Sequence, residues 1–176
     1  MHEVYKNIVL PESSSKIIFI GDSAGGGLAL GFALDIKNEK IKQPDEIILF
    51  SPWLDVSMSN PEINQLDIKD NILSITGLQE AGMEYTKQLH EKDSRASPIY
   101  GDFKGLARIS IFVGTKDLLL ADARKLKDLL KEQEHLFYYF EYKNMFHDWI
   151  IITSLKESKD ALEKVKMIMD SSKNDL

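Results

Sequence analysis

The sequence predicts an α/β fold in which helices flank a parallel sheet. Four short runs of β-favouring apolar residues alternate with helical patterns along the chain. Such alternation favours right-handed crossovers, which make neighbouring strands parallel. The length of 176 residues and the hydrophobic content of 43% are those of an ordinary globular domain with its own core.

The composition argues against several classes of function. A formal charge of −6 without a Lys/Arg cluster argues against a nucleic-acid binder. Without cysteine there can be no disulfide, thiolate nucleophile or cysteine-based zinc site, and no His/Asp/Glu cluster shows metal-ligand spacing, so we predict no metal and no cofactor. The N-terminus is polar and the apolar runs are too short for a bilayer. We therefore expect a cytoplasmic protein without a membrane span.

The first strand and helix enclose the most informative stretch of the chain. His2 to Asn7 is typical of the end of a helix, and Ser13-Ser14-Ser15 indicates a turn. Lys16 to Ile20 predicts a buried strand, followed by a helix to about Lys40 that is apolar almost all round.

Between that strand and helix stands Gly21-Asp22-Ser23-Ala24-Gly25, which has the spacing G-x-S-x-G. A serine at the apex of a strand, sharp turn and helix is the context of a nucleophile elbow. The two flanking glycines are expected to let the strand and the helix approach closely. The alternative is a merely structural glycine turn. Phosphate-binding loops do not fit, since neither Gly-Lys-Ser/Thr nor G-x-G-x-x-G is present.

The remaining elements follow the same alternation. The predicted strands are Glu46–Phe50, Arg108–Val113 and Leu136–Tyr142, and the predicted helices are Leu78–Glu91, Ala121–Glu134 and Ser158–Met169. In the last helix we expect four residues to be buried: Leu162, Val165, Ile168 and Met169.

Residues 56–106 differ in character from the rest of the chain. They are polar and broken by proline and glycine, and fifty residues with one helix exceed an ordinary connection. We interpret them as a cap or lid over a site, inserted into a single domain that spans residues 1–176. The alternative is a surface insertion without function.

Three chemically distinctive residues come just after predicted strands, namely Ser23, Asp117 and His147. In a parallel sheet such positions meet at one edge, where chemistry collects. A serine hydroxyl is a poor nucleophile until an imidazole takes its proton, and the imidazole needs a carboxylate to fix its tautomer. The backbone N–H of Ala24 could supply one oxyanion donor. The chain order serine, acid, histidine is typical of α/β-hydrolases.

Other residues compete for these roles. Asp117 could instead cap the helix that follows, although Asp122 is the more natural helix-terminal carboxylate. His90 and His135 lie at polar helix ends, where solvation is expected, and His2 is terminal.

Five stretches carry a resemblance to a known family. The chain resembles the hormone-sensitive-lipase-like branch of the α/β-hydrolase esterases over about Tyr5 to Val165. The stretches are Gly21-Asp22-Ser23-Ala24-Gly25-Gly26, Ser51-Pro52-Trp53-Leu54-Asp55, Ser97-Pro98-Ile99-Tyr100-Gly101, the run from Val113 to Asp122, and Phe146-His147-Asp148.

The resemblance implies hydrolysis of short-chain carboxylic esters. Ser23 would be the nucleophile, His147 the base and then the acid, and Asp117 the residue that orients the imidazole. Residues 56–106 would contribute to a cap over the acyl site. The candidate substrate-binding residues are Asp22, Trp53 and Phe146, and the partner would be a small-molecule ester.

The resemblance also implies parts that are not in this sequence. The family carries an HGGG-type oxyanion segment and further strands before the elbow, whereas this sequence has no His-Gly-Gly. We therefore expect it to be the C-terminal half of a longer family member. Alone, its elbow strand would be an exposed edge, so poor solubility or a homo-oligomer is expected. Two other functions stay open, namely a non-catalytic binding module on a hydrolase scaffold and an amidase or peptidase using the same residues.

Overall fold

The computed structural model describes residues 1–11, 16–68, 70–87 and 89–171. At its centre is a four-stranded sheet in the order β1-β2-β3-β4, in which every neighbouring pair is parallel. The predicted α/β architecture is therefore confirmed, while the predicted turn at Ser13–Ser15 lies outside the described residues. The strands are β1 Ile18–Asp22, β2 Glu46–Phe50, β3 Arg108–Gly114 and β4 Phe137–Tyr142.

Helices connect the strands and cover both faces of the sheet. A π-helical turn, Tyr5–Val9, continues α1, and short 3₁₀ turns occur at Pro61–Ile63, Pro98–Tyr100 and Trp149–Ile151. The α-helices are α1 His2–Val4, α2 Ser23–Asn38, α3 Asn64–Asp67, α4 Ile75–Tyr85, α5 Leu120–Glu132 and α6 Lys156–Asp170.

Alternate strand residues divide the core into two layers, as the period-2 geometry of a strand requires. Ile47 and Ile109 belong to the layer that contains the buried residues of α2 and α5. Ile48 and Phe112 belong to the opposite layer, which contains the buried residues of α6 and Trp149. All four side chains are at most 1% exposed, so the central strands are apolar on both faces, as is typical of a parallel sheet.

Two helix predictions need correction. Helix α4 begins at Ile75, because the Ser74 side chain caps it by accepting the Gly77 N–H at 3.2 Å, and it ends at Tyr85 rather than Glu91. In α6, Leu162 and Met169 are 40% and 38% exposed, whereas Ala161 is buried. The buried stripe of α6 therefore runs through Ala161, Val165 and Ile168.

Residues 56–106 are packed on the body of the domain rather than laid over its surface. Ile63 and Phe103 are at most 1% exposed and belong to the main core. Helix α4 buries less of its apolar surface, since Met83 and Tyr85 are 66% and 52% exposed. The interpretation of this segment as a cap stays a prediction.

The first strand is covered unequally on its two faces. On one face, Phe19 packs against Phe32 of α2 and against Tyr5, whose hydroxyl donates to the Lys42 carbonyl at 2.8 Å. On the other face Ile20 is 48% exposed. In the described sheet β1 is an edge strand.

Candidate active site

Ser23 stands at the tip of the turn between β1 and α2. Its φ of 51° lies in the left-handed region, which is unfavourable for a residue with a side chain and is typical of strained functional turns. The Ser23 carbonyl accepts the Trp53 N–H at 2.9 Å, which joins this turn to the segment after β2. The backbone therefore holds the hydroxyl above the carboxyl end of the sheet.

The two glycines that flank this turn have different roles. A Cβ at Gly21 would lie 2.2 Å from the Gly25 carbonyl oxygen, so only glycine allows the strand and helix to approach here. A Cβ at Gly25 would meet nothing nearer than 3.7 Å. Close approach accordingly explains Gly21 but not Gly25, contrary to the expectation that both glycines are needed for it.

Asp117 lies in the loop that joins β3 to α5 and is fully buried. Its Oδ1 accepts the Leu119 N–H at 2.9 Å, which fixes the carboxylate locally. The N–H of Leu118, the residue that follows Asp117, donates to Asp70 Oδ2 at 2.7 Å. This loop is thus held by a hydrogen bond within it and by a second one from Asp70, which belongs to residues 56–106.

The loop after β4 places His147 against the loop that carries Asp117. The Met145 carbonyl accepts the Lys116 N–H at 2.8 Å, and the Asn144 N–H donates to Thr115 Oγ1 at 2.7 Å. A Cβ at Gly114 would lie 2.2 Å from the Met145 oxygen, so this approach requires glycine at the end of β3.

These loops bring Ser23, Asp117 and His147 together from three different strand ends. His147 Nε2 lies 3.0 Å from Ser23 Oγ. Its Nδ1 lies 3.3 Å from each oxygen of the Asp117 carboxylate. His147 is 5% exposed and Ser23 is half-buried, so the hydroxyl can be reached from solvent while the imidazole is shielded.

The carboxylates around His147 decide its protonation. Burial disfavours the imidazolium and lowers the pKa, but the hydrogen bonds and charges of Asp117 and Asp148 outweigh burial. They raise the pKa of His147 from 6.5 to about 10. The buried site therefore stabilises a positive charge on the imidazole.

An apolar cavity of about 180 Å³ opens beside the first turn of α2. Ala24 and Leu28 contribute from the helix and Trp53 from the segment after β2, while Val56 and Tyr85 contribute from residues 56–106. The Trp53 indole donates to the Asp55 carbonyl at 3.1 Å, which fixes the ring in the wall of the cavity.

Comparison with known proteins assigns the fold to a family. The family model described as alpha/beta hydrolase fold matches residues 3–151. The chain belongs to the α/β-hydrolase fold family. The resemblance seen in the five sequence stretches is thereby confirmed.

Individual α/β-hydrolases are similar to this chain in sequence and in structure. An esterase of Acinetobacter venetianus is 29% identical over 167 residues, which are 93% of this chain and 55% of that protein. The crystal structure of an esterase/lipase from an uncultured bacterium superposes with a TM-score of 0.85 at 27% identity, covering 92% of this chain and 55% of that one. An esterase from the bacterial hormone-sensitive lipase family, 24% identical, has the same fold with a TM-score of 0.87, again over 92% of this chain and 55% of that one. This α/β-hydrolase chain thus spans about half the length of the relatives it matches.

The other residues assigned to substrate binding lie apart from the cavity wall. Asp22 is exposed and precedes α2 without a side-chain capping bond. Phe146 is half-buried and packs with the α6 layer of this α/β-hydrolase. Of the three candidates, Trp53 alone is among the residues that line the described cavity.

One prediction for another histidine is wrong. His135 is half-buried rather than solvated, with Nε2 3.0 Å from the Ala107 carbonyl, and burial lowers its pKa.

A group near the N-terminus has the spacing of metal ligands. It consists of His2, Asp35 and Glu39, whose ligand atoms lie within 4.8 Å of one another. The ligand atoms of this group already have partners, since His2 Nε2 is hydrogen-bonded to Asp35 Oδ2 at 2.6 Å and Lys6 forms an ion pair with Glu39 at 3.0 Å.

Asp70 is a structural residue of the site that the sequence did not reveal. Besides the Leu118 N–H, its carboxylate accepts the N–H groups of Ile72 and Leu73 at 2.7 and 3.0 Å. It therefore anchors residues 56–106 to the loop that carries Asp117. An aspartate in a polar segment offers no periodicity or motif that could have indicated this.

Among the described residues of this α/β-hydrolase, we find no helix with the length and apolar character that crossing a membrane requires.

Proposed function

We propose that this chain carries the catalytic triad of a serine carboxylesterase that acts on short-chain acyl esters. The observation that carries the proposal is the position of His147, whose Nε2 lies 3.0 Å from Ser23 Oγ and whose Nδ1 faces the Asp117 carboxylate at 3.3 Å. Nucleophile, base and orienting acid within such distances are the requirement for activating a serine.

In the acylation step, Ser23 Oγ attacks the ester carbonyl carbon while its proton passes to His147 Nε2. Asp117 holds the imidazole through Nδ1 and stabilises the positive charge that develops. The tetrahedral intermediate then collapses, the bond to the alcohol oxygen breaks, and Nε2 returns the proton to that oxygen. The alcohol leaves and Ser23 remains acylated.

In the deacylation step, water replaces the alcohol. His147 takes a proton from water as the hydroxyl attacks the acyl carbon, and then gives it to Ser23 Oγ as the acid leaves. The Ala24 N–H lies in the first turn of α2, where N–H groups have no acceptor within the helix. It is therefore suited to bind the oxyanion, and one such donor contributes about 10²–10³ in rate.

The size of the cavity beside Ala24 is consistent with a substrate that has a small acyl group. Its volume of about 180 Å³ is below the range of about 300–1,000 Å³ typical of sites for drug-sized ligands. Trp53 and Val56 give it an apolar wall suited to a short alkyl chain. Because Val56 and Tyr85 belong to residues 56–106, we propose that this segment forms part of the cap over the acyl site.

Hydrolysis of p-nitrophenyl acetate by two aspartate variants tests this proposal. Asp117→Asn should lower kcat by about 10⁴-fold, because the wrong imidazole tautomer becomes favoured. Asp122→Asn, five residues along the same loop and helix, should stay within about tenfold of the wild type. Equal losses in the two variants would contradict the assignment. The matching p-nitroanilide, assayed in parallel, distinguishes esterase from amidase chemistry.

A further inference from the structure

His147 lies between two carboxylates, of which the triad uses one. Asp117 faces Nδ1, whereas Asp148 Oδ2 lies 3.2 Å from Nε2. The same Nε2 lies 3.0 Å from Ser23 Oγ. The nucleophile and a second carboxylate therefore share one imidazole nitrogen.

The backbone holds Asp148 in this position at a conformational cost. Its φ of 52° and ψ of 26° are left-handed, a conformation unfavourable for most residues with a side chain and tolerated best by Asn and Asp. The next residue, Trp149, is 1% exposed and packs against Tyr142, and its carbonyl accepts the Ser158 hydroxyl at 2.9 Å. The buried Trp149 thus fixes the peptide that carries Asp148.

The Asp148 carboxylate has little structural bonding of its own. Among the described residues, its buried Oδ1 has no hydrogen-bond partner, and its Oδ2 lies in the ion pair with His147. A buried carboxylate oxygen without a donor is unfavourable. The interaction that this side chain does make is with the catalytic imidazole.

We propose that Asp148 is a positioning residue that stabilises the protonated imidazole from the Nε2 side and thereby sets the pH at which His147 becomes a base. This role rests on the proposed function of His147. When Ser23 Oγ bonds to the acyl carbon and its proton moves to Nε2, the new N–H faces Asp148 as well as Ser23. The negative charge of Asp148 stabilises this protonated imidazole. In the free enzyme the same charge keeps the proton on Nε2 up to a higher pH than His147 would show without Asp148.

The groups that face His147 come from three elements. Asp117 comes from the loop after β3, Ser23 from the turn before α2, and Asp148 from the loop of His147 itself. Both carboxylates raise the pKa of His147. Because the triad requires Asp117, its removal would change more than the pKa of His147. Removal of the Asp148 charge therefore isolates the effect of Asp148 on that pKa.

The test is a pH titration of the His147 side chain by ¹⁵N NMR in the wild-type chain and in Asp148→Asn. Asparagine tolerates the left-handed conformation, and Asp148→Gly provides a second variant for the same measurement. The loss of an opposite charge at this distance should lower the pKa of His147 by about one unit or more. Glu163→Gln, an exposed change on α6, should leave it unchanged.

The acidic limb of kcat/KM for p-nitrophenyl acetate should move to lower pH by the same amount in Asp148→Asn. An unchanged His147 pKa in both Asp148 variants would overturn the role of Asp148. The titration does not depend on turnover, so it decides this point even if the wild type fails to hydrolyse esters, an outcome that would contradict only the proposed function.

Discussion

At the scale of single residues, burial gives similar side chains different properties. Asp122 was expected to stabilise the start of α5 as a helix-terminal carboxylate, and it does lie in the first turn of that helix. The side chain is also fully buried, and its Oδ1 accepts a hydrogen bond from the Asn60 side-chain amide at 2.9 Å. Burial raises its pKa to about 6 despite that bond, and the charge of Asp55 adds to the effect. The sequence pattern located Asp122 on the helix but could not show that its carboxylate is buried and bonded to Asn60.

The raised pKa of Asp122 predicts a pH-dependent stability. The folded state binds this proton more tightly than the unfolded chain, whose carboxyl titrates near 3.8. The stabilisation is therefore complete below about pH 4 and is lost as the pH rises through about 6. Asp122→Asn does not ionise, so its free energy of unfolding relative to the wild type should rise by up to about 3 kcal/mol between pH 4 and pH 8.

Urea unfolding across this pH range would measure that difference. Asp128→Asn, an exposed change on the same helix, serves as the matched control and should show no such trend. A stability difference for Asp122→Asn that is independent of pH would contradict the prediction.

At the scale of elements, local sequence patterns identified the strands and helices but not the long-range contacts that hold residues 56–106 to the rest of the chain. The predicted strand Glu46–Phe50 agrees with the structure, and β3 and β4 differ from prediction by one residue at one end. Apolar runs in a parallel sheet give strong local signals. By contrast, the core packing of Phe103 and the role of Asp70 depend on contacts distant in sequence, which no local pattern encodes.

The anchoring role of Asp70 predicts a selective loss of stability. Asp70→Asn replaces one acceptor oxygen by an amide that cannot accept a hydrogen bond, so either the buried N–H of Leu118 or the part-buried N–H groups of Ile72 and Leu73 lose their partner. We expect a loss of about 1–3 kcal/mol in the free energy of unfolding. Asp67→Asn, an exposed change in the same segment, keeps the Oδ1 that accepts the Ile75 N–H at 3.3 Å and should cost less than about 0.5 kcal/mol. Equal effects of the two variants in thermal or urea unfolding would show that Asp70 is not an anchor.

At the scale of the whole molecule, topology accounts for both the site and the exposed edge. Three loops at the carboxyl ends of parallel strands meet, which is why the chain order of Ser23, Asp117 and His147 and their places after strands sufficed to predict them as neighbours. The second contact of His147, with Asp148, could not be predicted, because it depends on the left-handed backbone conformation of Asp148. The edge position of β1 and the exposure of Ile20 agree with the expected edge, while self-association stays a prediction.

The most direct test of the proposed triad is mass spectrometry of the chain after reaction with a fluorophosphonate. Such a probe forms a covalent bond only with an activated hydroxyl, and His147 is positioned to activate Ser23. We predict a single adduct on the Ser23 peptide, which disappears in Ser23→Ala and is strongly slowed in Asp117→Asn. An adduct on a different serine, or one that persists in Ser23→Ala, would contradict the assignment of the nucleophile.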